Sequence, residues 1–227
     1  MERYDRHLKI KDFSIDDQTK LQKASILMVG AGGLGSPILQ YLIGVGIGKI
    51  TLFEPDTVSL DNLPRQILYN EDQIGEKKGE IVEALAQQKN SEIKLTCFKE
   101  KFNPEKVREI SFDLIICSPD NYDARVQTDA FAQETKTDIV HGAVQEYGGH
   151  LLSIGANQKL RYTDIFPEPT QPTANSKGII GPVAGIVGSY MALEAINIIR
   201  NIGKDLRGKI LWLDTEKFEQ RIFNIEK

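Results

Sequence analysis

The chain is expected to fold as an α/β protein, with a doubly wound, mainly parallel sheet extended by antiparallel strands in its second half. Three observations predict this. Short apolar runs alternate with helical patterns from Ser25 to Val144, as strands and crossover helices do. A glycine cluster, GAGGLG at Gly30 to Gly35, joins the first apolar run to the first long helix. Beyond Val144 the alternation stops, and strand-like segments follow one another without helices between them.

In order along the chain, DDQTKLQKA reads as a short helix and SILMVG as a buried strand ending at Gly30. LGSPILQYLIGVG is a helix stopped by glycines, and KITLFE a second strand. A polar loop, PDTVSLDNLPRQILYNEDQIG, leads to the helix EKKGEIVEALAQQK, with Ile81, Val82, Leu85 and Ala86 on its apolar face. EIKLTCF is the third strand, PEKVREI a short helix and FDLIICS the fourth strand. NYDARVQTDAFAQET is a helix and TDIVHGAV the fifth strand. GGHLLSIGA and KLRYTDIF read as consecutive meander strands, followed by a proline-rich loop, one long helix, and the strands KILWLD and FEQRIFNI. The organisation is a single domain over 1–227: an arm and helix in 1–24, a βαβ half in 25–145, and antiparallel strands, crossover loop and long helix in 146–227.

Composition excludes several classes. With 227 residues, 41% apolar and 26% charged, the chain has the balance of a globular domain with a substantial core. A net charge of −4 without a basic block argues against nucleic acid as partner. The terminus MERYDRHLKIKD lacks the apolar core of a signal peptide. The stretch GPVAGIVGSYMALEAINII carries Glu194 and several glycines, so it reads as a buried helix and not a membrane span. Two cysteines, Cys97 and Cys117, make no disulfide framework, and a cytoplasmic protein is expected.

Gly30, Gly32 and Gly35 fit G-x-G-x-x-G between a strand and a helix, the arrangement of a Rossmann-like dinucleotide fold. The first glycine permits the sharp turn, the second admits phosphate oxygens to the backbone, and the third lets helix and strand approach. The helix start offers unpaired N–H groups to an anion. Glu54 follows 19 residues after the last glycine, where a ribose-binding acid is expected, with Asp56 beside it. On these residues an NAD-dependent dehydrogenase is the leading reading, although the loop by itself does not distinguish NAD from ATP.

Further residues stand at the carboxyl ends of the strands, where such sheets bind ligands. SLDNLPRQ supplies Asn62, Arg65 and Gln66; IGEKKG supplies Lys78; CSPDN supplies Asp120 and Asn121. Cations converging on a triphosphate suit nucleotidyl transfer, in which charge builds on phosphate oxygens and leaving pyrophosphate, and an aspartate can hold magnesium. Hydride transfer has little use for them.

The motifs RYDRHL, GAGGLGSP, TVSLDNLPRQ, IGEKKGE, SPDNYDAR and GIIGPVAGIVGSYMALEAI, in this order, resemble the MoeB/ThiF family, relatives of the ubiquitin-activating enzymes. The resemblance runs over nearly the whole chain. It implies adenylation, with ATP and Mg2+, of the C-terminal glycine of a ubiquitin-like sulfur carrier ending in Gly-Gly, for thiamine or molybdopterin synthesis. It further implies that Gly30, Gly32, Gly33 and Gly35 wrap the phosphates and that Glu54 binds the ribose where most relatives have Asp. Asn62, Arg65, Gln66 and Lys78 would contact the triphosphate, and Asp120 the metal and the reacting phosphate. Arg6 would reach the nucleotide of the other subunit of a homodimer. Many relatives hold zinc through two C-x-x-C pairs; LRYTDIFPE and FNIEK contain no cysteine, so no structural zinc is expected. Some relatives capture the activated carboxyl on a cysteine where this chain has Ala174. Cys97 and Cys117 read as buried structural cysteines, Cys117 being the one near Asp120. The reaction is thus expected to stop at the acyl-adenylate, which a separate sulfur donor intercepts.

His7, His141 and His150 show no metal-binding spacing, and Trp212 reads as core or dimer surface. The loop Pro167 to Lys177 reads either as a surface loop or as a crossover under which a thin Gly-Gly tail threads. Other readings are an adenylating enzyme for another carboxylate, in a tRNA nucleoside or a peptide, an NAD-dependent oxidoreductase, and a non-catalytic binding subunit.

Overall fold

The computed structural model describes residues 2–168 and 178–225. One sheet of eight strands forms the molecule, in the order β3-β2-β1-β4-β5-β6-β7-β8. The strands are β1 (Ser25–Val29), β2 (Lys49–Phe53), β3 (Lys94–Phe98), β4 (Leu114–Cys117), β5 (Ile139–Gln145), β6 (Gly148–Ile154), β7 (Lys209–Asp214) and β8 (Glu219–Asn224). From β3 through β5 neighbours run parallel; β6, β7 and β8 then add antiparallel strands beside β5. The expected extension of the sheet on its open side is what the chain builds.

Helices α1 (Asp5–Leu8) and α2 (Ile15–Lys23) precede the sheet, the latter closed at its start by a Ser14–Asp17 capping box. Helices α3 (Gly35–Val45), α4 (Lys78–Lys89), α5 (Tyr122–Thr135) and α7 (Gly181–Arg200) cover the sheet, and α6 (Tyr162–Ile165) is a single turn. Alternate residues of each strand face opposite ways. Ile26 and Met28 look into a core with α3, α4 and α7, while Leu27 and Val29 look into a second core with Phe102, Phe131 and Tyr162. Helix α7 is long and apolar enough to cross a membrane by length and composition, but half of that stretch is buried inside the domain. It lies tight against α3: a Cβ on Gly188 would stand 2.5 Å from Pro37 Cγ and 2.6 Å from the Leu34 carbonyl oxygen.

Two expected elements differ. KLRYTDIF is not a strand; Tyr162–Ile165 is the helical turn α6, started by Asp164 Oδ2 accepting from the Arg161 N–H at 2.8 Å. No position beside the preceding strand was open to it, because β6 already pairs with β5 on one edge and β7 on the other. Its alternating apolar residues instead serve as a plug: the Tyr162 ring packs at a tilt against His141 (4.9 Å between centroids) and Phe166 (5.1 Å). PEKVREI forms only a 3-10 turn, Pro104–Lys106, because Val107 leaves helical geometry (φ −128°) and is fully buried. The loop from Pro167 to Lys177, read as a surface loop or a crossover, falls largely on residues 169–177, outside the described residues.

His150 on β6 lies 4.5 Å from Phe166 and 5.9 Å from Trp212, ring to ring, and its Nε2 has no hydrogen-bond partner. Burial depresses its pKa from 6.5 to about 4, helped by the nearby positive charge of Arg125. The unfolded chain therefore binds a proton that the folded chain refuses across this window. His150 contributes stability above pH 6.5 that is lost as the pH falls through about 4.

Two stability predictions arise from this packing. Gly188→Ala forces a methyl between α7 and α3 and should lower stability by about 1–3 kcal/mol, whereas Gly44→Ala meets no atom within 4 Å and should raise it by about 0.5–1 kcal/mol; thermal unfolding of both reads the contrast. His150→Phe keeps the stack and removes the proton, so wild type should lose up to about 3 kcal/mol relative to this variant between pH 6.5 and 4. Parallel pH–stability curves for the two proteins would contradict it.

Candidate active site: a phosphate cradle at the point where strand order reverses

From β1 the chain moves outward to β2 and β3, then returns to place β4 on the other side of β1. Crossovers above β1 and β4 therefore leave in opposite directions and open a crevice at their carboxyl ends. A cavity of about 690 Å³ occupies this place, a volume typical of small-ligand sites.

Its floor is the loop after β1. Gly30 has φ +94°, and a Cβ there would lie 3.0 Å from the Ser118 carbonyl oxygen and 3.1 Å from Pro119 N. Ser118 locks the two strand ends together: its hydroxyl donates to the carbonyls of Val29 (3.0 Å) and Gly30 (2.9 Å). Gly35 does not line the cavity; a Cβ on it would lie 2.5 Å from the Gly30 carbonyl oxygen, so its role is the close approach of α3. Gly32 and Gly33 face the cavity. The loop thus presents bare backbone and the first turn of α3 to an anion.

Glu54 closes the end of β2. Its Oε2 accepts from the Ala31 N–H (2.6 Å) and its Oε1 from the Asp56 N–H (3.0 Å), which ties the glycine loop to the second strand. Burial holds its carboxyl above the ordinary carboxylate range, against the pull of those amides and of Lys78. Asp56 lines the cavity and stands 3.7 Å from Lys78 Nζ. The Lys78 side chain is only 4% exposed and lies over the Tyr69 ring, whose hydroxyl donates to the Ala31 carbonyl. A buried ammonium held this way points its charge into the cavity and is spared the entropy cost of a free lysine.

Arg65 packs against the loop, its Cγ 3.6 Å from where a Gly33 Cβ would be, and donates to the Asp61 carbonyl at 2.7 Å. Gln66 is buried in the wall, with Oε1 unpartnered. Asp120 follows β4, lines the cavity and makes no hydrogen bond or ion pair with the described residues. Asn121 lines the cavity and caps α5, its Oδ1 accepting from the Ala124 N–H at 2.9 Å. Gly30, Gly32, Gly33, Glu54, Asp56, Arg65, Gln66, Lys78, Asp120 and Asn121 therefore line one cavity.

Asn62 and Arg6 stand apart from it. Asn62 is buried behind Asp61 with its Oδ1 unpartnered and does not line the cavity. Arg6 is exposed on α1 and does not line its own chain's cavity. The sequence reading missed Asp61, Lys101, Phe102 and Arg125, all of which line the cavity. Lys101 and Phe102 had a usable signal, since they follow the carboxyl end of β3.

Cys97 and Cys117 are buried free cysteines. Burial pushes the Cys97 thiol up to about 12. Among the described residues no three His, Cys, Asp or Glu side chains are grouped to hold a metal. A cation at Asp120 would thus take its remaining ligands from phosphate and water, as Mg2+ does.

The ThiF family model matches residues 4–227. The chain is 32% identical over 225 residues to a sulfur carrier protein adenylyltransferase of Thermus thermophilus, covering 94% of this chain and 83% of that one. It is 34% identical over 217 residues to a molybdopterin-synthase adenylyltransferase of Haemophilus influenzae, covering 93% and 89%. An adenylyltransferase and sulfurtransferase, MOCS3-1 of Zea mays, is 32% identical over 98% of this chain, which spans only 49% of that relative's length. In fold, E. coli MccB crystallised with ATP superimposes with a TM-score of 0.87 at 18% identity, over 99% of this chain and 72% of that one. The glycine cradle, the cations beside it and the match along nearly the entire length lead to one conclusion: the chain belongs to the ThiF family.

Proposed function

We propose that the protein is an ATP-dependent adenylyltransferase that activates the C-terminal carboxylate of a ubiquitin-like sulfur carrier ending in Gly-Gly, in molybdopterin or thiamine biosynthesis. One observation carries the reading. Arg65, Lys78 and the unpaired Asp120 surround the same cavity as the phosphate-binding turn. The names of the bacterial relatives, a sulfur carrier protein adenylyltransferase and a molybdopterin-synthase adenylyltransferase, support it.

The chemistry follows from the layout. The loop Gly30–Gly33 and the start of α3 hold the triphosphate, and the Glu54–Asp56 corner holds the ribose. A carboxylate oxygen of the carrier attacks the α-phosphorus; its O–P bond forms as the α–β bridging bond breaks, and pyrophosphate leaves with the electron pair. Arg65 and Lys78 are fixed cations where that charge grows. Mg2+ fits at Asp120, where it would neutralise phosphate charge on the reacting side. Both cysteines are buried and neither lines the cavity, so the acyl-adenylate is handed to a separate sulfur donor.

We propose further that the active unit is a homodimer. Tyr41, Ile67, Ile186 and Leu193 are 56%, 63%, 41% and 51% exposed and line one apolar groove between α3 and α7. An exposed apolar face of this kind favours a protein partner. The arm carrying Arg6 is pinned to its own subunit by Arg3, which donates to the Lys89 carbonyl at 2.8 Å, and by Tyr4, whose hydroxyl oxygen accepts from Asn90 Nδ2 at 3.0 Å. A second copy is therefore the route by which Arg6 reaches a nucleotide. Two unpaired thiols support a cytoplasmic location.

The test is ATP–pyrophosphate exchange with each candidate Gly-Gly carrier. Exchange should require the terminal glycine and fall by about a hundredfold or more in Arg65→Ala, Lys78→Ala and Asp120→Ala. Wild-type exchange in all three variants, or NAD binding without any response to ATP, would overturn the reading.

A further inference from the structure

We infer that Arg125 is the receptor for the carboxylate of the incoming C-terminal tail, and that it sets the specificity of the site for a charged chain end. The inference rests on the adenylation reading and adds a residue to which that reading gives no role.

Arg125 lies in the first turn of α5 and is 8% exposed, yet it lines the cavity. Its Nη1 donates to the Gly142 carbonyl on β5 at 2.8 Å. Its guanidinium carbon is 6.0 Å from the centre of the Tyr162 ring. A guanidinium has several further N–H donors and a fixed positive charge. Among the described residues no carboxylate lies within ion-pair distance of it. Asp129, one turn further along the same helix, is engaged instead by His141 Nε2 at 3.3 Å. The neighbouring rings and imidazoles offer no anion: His150 and Tyr162 are its other close company. A buried cation without a counter-ion is costly, and such charges are retained where a partner is supplied. Arg125 is among the residues lining the cavity, so a partner bound there is the one available to it.

Its position distinguishes it from the phosphate cations. Lys78 stands beside Asp56 and Tyr69, and Arg65 beside Gly33, on the glycine-loop side. Arg125 stands on the β4–α5 side with Asp120, where Val144, Gln145, Gly178 and Ile179 form the far rim. There the chain closes on itself: the Glu146 N–H donates to the Gly178 carbonyl at 2.7 Å, and Ile179 bridges to Glu146. A peptide tail entering across that rim meets Arg125 on its way to the phosphates. The tail brings a negative end toward a polyanion, and a planar fork beside its path offsets the repulsion and can grip both oxygens. The carboxylate loses its charge when it becomes the acyl-adenylate. An interaction with that charge is therefore strongest in the ground state and acts on binding more than on turnover.

The test uses the full chain with the Gly-Gly carrier that supports exchange, prepared with a free carboxylate and with a C-terminal carboxamide, and titrated in the presence of a non-hydrolysable ATP analogue. Wild type should prefer the carboxylate form by at least about tenfold, as expected for losing a charge-assisted contact. In Arg125→Gln that preference should fall to near unity, with the carrier KM raised at least about tenfold, kcat changed less than about threefold, and the ATP KM within about twofold. A preference unchanged in Arg125→Gln, or an ATP KM that rises with the carrier KM, would overturn the inference. If Arg125→Gln does not fold, Arg125→Lys carries the test: losing the fork should reduce the preference, and an unchanged preference overturns the role. Failure of wild type to exchange with every Gly-Gly carrier would instead remove the adenylation reading, and this inference with it.

Discussion

The approach of two strand ends, β1 and β4, at the reversal of strand order is the constraint on which the site depends. Gly30 sits in that contact with a left-handed backbone and no room for a Cβ against Ser118 and Pro119. The Ser118 hydroxyl then ties both turns together through the Val29 and Gly30 carbonyls. Any side chain at Gly30 would push the strands apart and change the spacing between the phosphate-binding loop and Asp120. Glu54 repeats the device on the other flank by accepting the Ala31 amide. The rigid sheet thus fixes the shape of the glycine cradle, where the proposed function puts the triphosphate, before any ligand arrives, and preorganisation of this sort underlies electrostatic catalysis.

Around this frame the charges are arranged by side. Lys78, buried beside Tyr69 and Asp56, and Arg65, laid along the glycine loop, stand on the side where the proposed function puts the phosphates. Asp120 and Arg125 stand opposite, on the β4–α5 side. The division matches the proposed reaction, in which one anion is held while another is brought to it: cations flank each anion separately, and Asp120 and Asp123, which line the cavity without an ion-pair partner among the described residues, are the carboxylates a divalent metal would use. The antiparallel strands β6 to β8 add no residue to the cavity among those described, but they carry the sheet beyond β5, whose last residues form the cavity's rim.

Much of this was legible in the sequence for a physical reason. Buried parallel strands are written as unbroken apolar runs, such as ILMV and LIIC, and glycine spacing reports backbone demands that no other residue meets. The residues after each strand could be located because strand ends are where ligands bind. What was not legible depended on long-range packing. The apolar alternation of KLRYTDIF suits a strand, but β6 had no free edge, and the segment became the turn that seals Arg125, His141 and His150. Asn62 falls in the right loop yet turns inward, and Gly35 serves helix packing instead of lining the cavity. Arg125 stood in a helical pattern as one charge among many; only burial without a counter-ion distinguishes it.

The central claim is that a chain-end carboxylate attacks the α-phosphorus of ATP held in this cradle. The most direct measurement is the fate of oxygen-18 placed in the terminal carboxylate of the carrier. After reaction with ATP and hydrolysis of the acyl-adenylate, the account predicts label in AMP and none in the released pyrophosphate. Label in inorganic phosphate with ADP as co-product, or no transfer of label to any nucleotide, would contradict it.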